Sequence, residues 1–190
     1  GSNDPRGIEA NSGDAAYVPQ TEAVLANVTI IGGPMNNSTA SAAGPQPGMR
    51  LRGAVKTAVY NSSVSDFDVG CVRIDNADVN GDGSLVVPSY IELVNVLGDC
   101  ADGFYQRRAA DVSVNTGNTV LTYSDTLAIQ ESVARLPQAP VINAVNNGSG
   151  FVFDQTNYIG AVDPGGDAWW EGWTLPGTVV AEEQVQPASF

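Results

Sequence analysis

The stretch Asp78-Val79-Asn80-Gly81-Asp82-Gly83-Ser84 has the residue types and spacing of a cation loop. Side-chain oxygens fall at its first, third and fifth positions, a glycine at the sixth allows a sharp turn, and the seventh offers a backbone carbonyl. Asp78, Asn80, Asp82 and Ser84 are therefore the candidate ligands of a structural Ca2+. The second half of the loop departs from that pattern. Its twelfth position, which needs a bidentate acid, is Ser89, while Glu92 comes three residues late and Pro88 stands where an exit helix would start. Asp75 or Asp99 supplies a further ligand if a Cys71–Cys100 bridge draws those ends together. The competing reading is an Asn/Asp/Gly turn between strands, to which the same residues are suited without metal.

A second constellation is basic. Arg50, Arg52, Lys56 and Arg73 make up four of the eight basic residues of the chain, and Asp66, Asp68 and Asp75 lie among them. Extracellular β-rich lyases act on polysaccharides with carboxylate-held calcium and a basic residue, and hydrolases act with clustered acids. The plainer reading is ion pairing at a surface, where each pair contributes little. No two acids have a spacing that marks catalysis, so no residue receives a catalytic role. The chain has no histidine, which removes His-assisted triads, His-based zinc sites and imidazole acid–base chemistry. Trp169, Trp170 and Trp173 form a third group. They read either as a cap that closes an apolar core or as a platform for sugar rings, with Tyr158, Ile159 and Val162 as apolar neighbours that favour burial.

The elements that position these groups are strands. Asn27, Asn61 and Asn95 stand 34 residues apart, each within a β-prone run. They predict stacked coils of a short right-handed parallel β-helix, with the asparagine amides laddered from coil to coil. Helical repeats have similar periods, but β-branched residues and Gly/Pro punctuation oppose them here. Strands are expected at 24–31, at 49–52 (Met49 and Leu51 to one face, Arg50 and Arg52 to the other), at 58–64 and 69–74, and at 84–87, 90–97 and 119–123. The 90–97 run also fits a helical period. Shorter strands are expected at 111–114 and 140–145, a turn at Asp66, Asp68 and Gly70, and one short helix at 126–136, stopped by Pro137. Met49 and Cys71 are 22 residues apart, the length of one coil, so the 34-residue period calls for insertions or a skipped rung. The domain plan is an extended arm at 1–23, a β-helix-like domain at 24–150 and a capping segment with tail at 151–190.

Composition fits that plan. Gly and Pro supply 32 of the 190 residues, which suits turn-rich β structure. The net charge of −13 opposes binding to nucleic acid or anionic membrane. No apolar run is long enough to span a bilayer as a helix. Cys71 and Cys100 read as a disulfide rather than a metal site, with two reduced core thiols as the alternative. The chain opens at Gly1-Ser2-Asn3-Asp4-Pro5 without Met or leader, the expectation being a processed product or a piece of a longer protein whose first coil needs a partner.

The tail adds a resemblance. Tyr158-Ile159-Gly160-Ala161, Trp170 and Gly172-Trp173-Thr174 resemble the ending of a family of large, mostly uncharacterised bacterial secreted or surface proteins, which close on a YIGA…W…GWT segment. Arg6-Gly7-Ile8-Glu9-Ala10, Leu51-Arg52, Tyr60-Asn61-Ser62 and Val72-Arg73-Ile74-Asp75 are similar to that family's successive rungs. The resemblance implies a right-handed parallel β-helix outside the cytoplasm and implies no activity. The resulting expectation is an extracytoplasmic, non-catalytic structural or assembly protein that associates with itself or with other subunits. The alternative is a calcium-dependent glycan-binding module or a polysaccharide-active enzyme.

Overall fold

The structure, a computed structural model, describes residues 6–12, 19–33, 37, 44–75, 90–108, 113–115, 134–135, 138–163, 169–170 and 172–175. In chain order the strands are β1 (Ile8–Ser12), β2 (Glu22–Ala26), β3 (Thr29–Ile31), β4 (Met49–Gly53), β5 (Lys56–Ser65), β6 (Val72–Ile74), β7 (Tyr90–Asp99), β8 (Tyr105–Arg108), β9 (Ser113–Asn115), β10 (Ala134–Arg135) and β11 (Tyr158–Ile159). The protein is mainly β. One sheet has the order β1-β4-β6-β8, the other β2-β5-β7-β9 with β3 also on β5, and every pairing in both is parallel. The chain therefore passes alternately from one sheet to the other.

Alternation of side chains explains the core. Met49 and Leu51 of β4 and Val72 and Ile74 of β6 point inward and are buried, while Arg50, Arg52 and Arg73 point out. Val59 of β5 and Ile91 and Leu93 of β7 join the same cluster from the other sheet, with Phe67 and Phe104 from the connections. Burial of each such aliphatic chain contributes about 1.5–3 kcal/mol. The helical reading of 90–97 fails because β7 has a ladder partner on each side, and in that setting period-2 burial of Ile91 and Leu93 wins.

The register resolves the two periods. Lys56 lies opposite Tyr90 and Glu22 opposite Lys56, so 34 residues separate neighbouring strands and no rung is skipped. Met49 lies opposite Val72, one residue beyond the expected Cys71, a separation of 23. The difference is connection length: the longer passes carry insertions, one of them the 76–89 stretch that contains the candidate cation loop.

Several expectations need correction. The 1–23 segment is not simply an arm, because β1 lies in register on β4 and β2 begins at Glu22. The 24–31 strand is broken at Asn27, whose φ of 54° turns the chain between β2 and β3. Ala134–Arg135, expected near the end of a helix stopped by Pro137, instead pairs antiparallel with Tyr158–Ile159. Long-range pairing outweighs a weak local propensity there. The rest of that expected helix, and the strands at 84–87 and 119–123, lie outside the described residues. Residues 140–145 form no strand, and Ile142 is held instead by the Gln155 side chain, which accepts from its N–H and donates to its carbonyl. The strand at 105–108 was not anticipated.

Candidate functional site

Polar, aromatic and charged groups gather at three places: the asparagine corner, the tryptophan group and the outer face of the β1-β4-β6-β8 sheet. At the corner, Asn27, Asn61 and Asn95 all adopt left-handed backbone, with φ of 54°, 47° and 54°. Asparagine tolerates that conformation better than other residues with a side chain beyond glycine. The expected ladder is present between two of them, where Asn95 Nδ2 donates to Asn61 Oδ1 at 3.0 Å. Between Asn61 and Asn27 the tail intervenes. Asn61 Nδ2 donates to Thr156 Oγ1 at 3.2 Å, and that hydroxyl donates to Asn27 Oδ1 at 2.7 Å. The Asn27 amide passes on to the carbonyls of Tyr158 and Gly160. The segment 156–161 thus seals the flank of the corner and buries Ile159.

The tryptophans do not follow the capping expectation. Trp169 and Trp173 are 62% and 88% exposed, and Trp170 is half-buried with its ring edge-on to Trp169. Trp169 Nε1 donates to the Ala161 carbonyl at 2.9 Å, tying the pair to the sealing segment. The physical reason is that the corner's demand is for hydrogen bonds, which backbone and Thr156 satisfy and an indole face does not. Asp78, Asn80, Asp82 and Ser84, the candidate Ca2+ ligands, lie outside the described residues. Cys71 and Cys100 are joined in a disulfide with a Cα–Cα distance of 5.5 Å, inside the normal range.

The outer sheet face gathers most of the chain's cations. Glu9, Arg50, Arg73 and Arg107 occupy one register line across four strands. Parallel strands are spaced by about 4.8 Å, so these groups rise one rung at a time. Arg107 reaches that line through a bulge. Val72 pairs with Tyr105 but Arg73 with Arg107, leaving Gln106 as the extra residue. Without the bulge Gln106 would stand opposite Arg73. Gly70 permits it: with φ of 104°, a Cβ there would lie 2.7 Å from the Gln106 nitrogen.

Asp75 is the hub. Arg50 Nε donates to Asp75 Oδ2 at 2.8 Å, Arg73 Nε to Oδ1 at 2.9 Å, and Arg107 Nη1 lies 3.5 Å from Oδ1. Glu9 is the second acidic centre, with Arg6 at 2.8 Å, Arg52 at 3.5 Å and Arg50 at 3.7 Å. Burial alone would raise the Asp75 carboxyl, but hydrogen bonds from Arg50 and Arg73 outweigh it and hold the group below the usual carboxylate range. A carboxylate held ionised in this way is a poor general acid. Of the basic and acidic residues singled out in the sequence, the structure brings Arg50, Arg52, Arg73 and Asp75 together. Lys56 lies on the other sheet, and Asp66 and Asp68 fall in the turn after β5. Sequence reasoning missed Glu9 and Arg107. The former sat in a presumed arm, and the latter is aligned only by the bulge.

A prediction follows for acid. Asp75 has a depressed folded pKa, so its contribution is present above the unfolded value of about 4 and is lost as pH falls through the folded one. Asp75→Asn is expected to cost about 1–3 kcal/mol at neutral pH, because it leaves clustered guanidiniums without their partner. The loss relative to the parent shrinks as pH falls below about 4, which urea titrations at pH 7 and pH 3 measure. Equal losses at both pH values would contradict the ion-pair assignment.

Among the described residues, no helix is long and apolar enough to cross a membrane. Comparison of the chain with protein-family models, with curated proteins and with solved structures finds no match.

Proposed function

We propose that the chain is an extracytoplasmic, non-catalytic structural module, a short right-handed parallel β-helix that works as a subunit or processed part of a larger surface assembly. One observation carries the reading. β1 and β2 are the terminal strands of the two parallel sheets at the same end, and among the described residues their outer edges carry no strand partner. Paired parallel edges of this kind are a template for another pair of strands. A second copy, or a neighbouring part of a precursor, offers such strands in a head-to-tail, heterologous contact. The Cys71–Cys100 disulfide supports an oxidising compartment. Within such a module, a Ca2+ on Asp78, Asn80, Asp82 and Ser84 would be structural, and the exposed Trp169 and Trp173 offer ring faces to a glycan or a neighbouring subunit.

Sedimentation over a concentration series tests the assembly reading. The parent is expected to gain mass with concentration. Val24→Lys, an outward position on β2 opposite Ala58, is expected to weaken association while leaving the far-UV spectrum unchanged. A single monomeric species at all concentrations would overturn the proposal.

A further inference from the structure

The arginine face has a charge that the rest of the chain does not lead one to expect. The chain carries −13 overall, yet among the described residues Arg50, Arg52, Arg73 and Arg107 share the same two carboxylates, Glu9 and Asp75. Simple mutual neutralisation does not describe a group with this stoichiometry. Each guanidinium has about five N–H donors, against about four lone-pair sites on a carboxylate. The outer members are open to solvent, with the Arg52 and Arg107 side chains 40% and 57% exposed. Asp75 is 14% exposed, and its bonds from Arg50 and Arg73 orient two guanidiniums whose positions would otherwise be lost to side-chain entropy.

We propose that this face is a binding site for a linear carboxylated polysaccharide, lying across the strands with its acidic groups met in turn by Arg50, Arg73 and Arg107. The geometry points to this class of ligand in two ways. The three arginines are aligned in parallel register, one per rung, and a rung spacing of about 4.8 Å is close to the length of one sugar residue in an extended chain. A polymer that carries carboxylates at short, regular intervals presents more than one of them to this row at once. The planar fork of arginine also matches a carboxylate bidentately. Asp75 and Glu9 hold the cations in place and set the threshold, since an incoming carboxylate must compete with them.

Isothermal titration of the whole chain with polygalacturonate, with its fully methyl-esterified form and with heparin tests the proposal. Binding is expected for polygalacturonate, is expected to weaken at least tenfold in 0.5 M salt, and is expected to be absent for the ester. Arg107→Gln, exposed and at the sheet margin, is expected to fold normally and weaken binding about tenfold. Asp75→Asn, if folded by circular dichroism, is expected to bind more tightly than the parent, a gain that a purely structural role for Asp75 does not produce. Failure of the parent to bind polygalacturonate, equal binding of the ester, or an unchanged Arg107→Gln would overturn the proposal. Heparin binding tighter than polygalacturonate would overturn the carboxylate assignment in favour of sulfate. None of these outcomes depends on whether the chain self-associates.

Discussion

Asn61→Leu is expected to lower stability by about 3 kcal/mol, seen as an earlier urea midpoint at unchanged slope. Asn61 is fully buried and has φ of 47°. Leucine is close in size but disfavours left-handed backbone by about 1–2 kcal/mol. It also removes the acceptor of the Asn95 amide and the donor to the Thr156 carbonyl, which lies 3.0 Å from Asn61 Nδ2. A buried polar group left without its partner costs about 1–3 kcal/mol. Asn61→Gly separates the two effects: it keeps the backbone conformation at no steric cost and loses only the side-chain bonds, so a loss of roughly half is expected. If Asn61→Leu changes stability by less than about 0.5 kcal/mol, the corner does not hold the tail in the way described.

Removal of the disulfide is the second large effect. Cys71 precedes β6, Cys100 follows β7, and the bridge closes a segment with a sequence separation of 29. On the chain-entropy model that constraint contributes about 3–4 kcal/mol by restricting the unfolded chain. The loop that the bridge closes contains β6, the 76–89 insertion and the whole of β7. Cys71→Ala with Cys100→Ala is expected to lose that amount, and the parent in reductant is expected to approach the same melting temperature. A double variant as stable as the oxidised parent would mean that the core alone fixes these strands.

Local alternation was legible at Met49, Leu51, Arg50 and Arg52, because a strand with one face inside imposes period 2 on the sequence itself. The pairing of Cys71 with Cys100 was legible because the chain has no other cysteine. The 34-residue asparagine spacing was legible as a ladder, and Asn95 to Asn61 is that ladder. Its backbone reason, three left-handed residues at one corner, was not, since φ is not written in residue type alone. Thr156 is 95 residues from Asn61 and 129 from Asn27, and no periodicity links it to either.

The sequence by itself determined a mainly β chain, an inside and an outside for each strand near Met49, a single disulfide and a strongly acidic balance. All four depend on residue type or near-neighbour spacing. The tertiary structure alone decided the company each residue keeps. A one-residue bulge at Gln106, made room for by Gly70, sets Arg107 on the line of Arg73 and Arg50. The pairing of β1 brings Glu9 to the same face. The physical reason is that parallel register is set by connection lengths and bulges summed over each pass of the chain, so charges far apart in sequence meet only once the sheet exists.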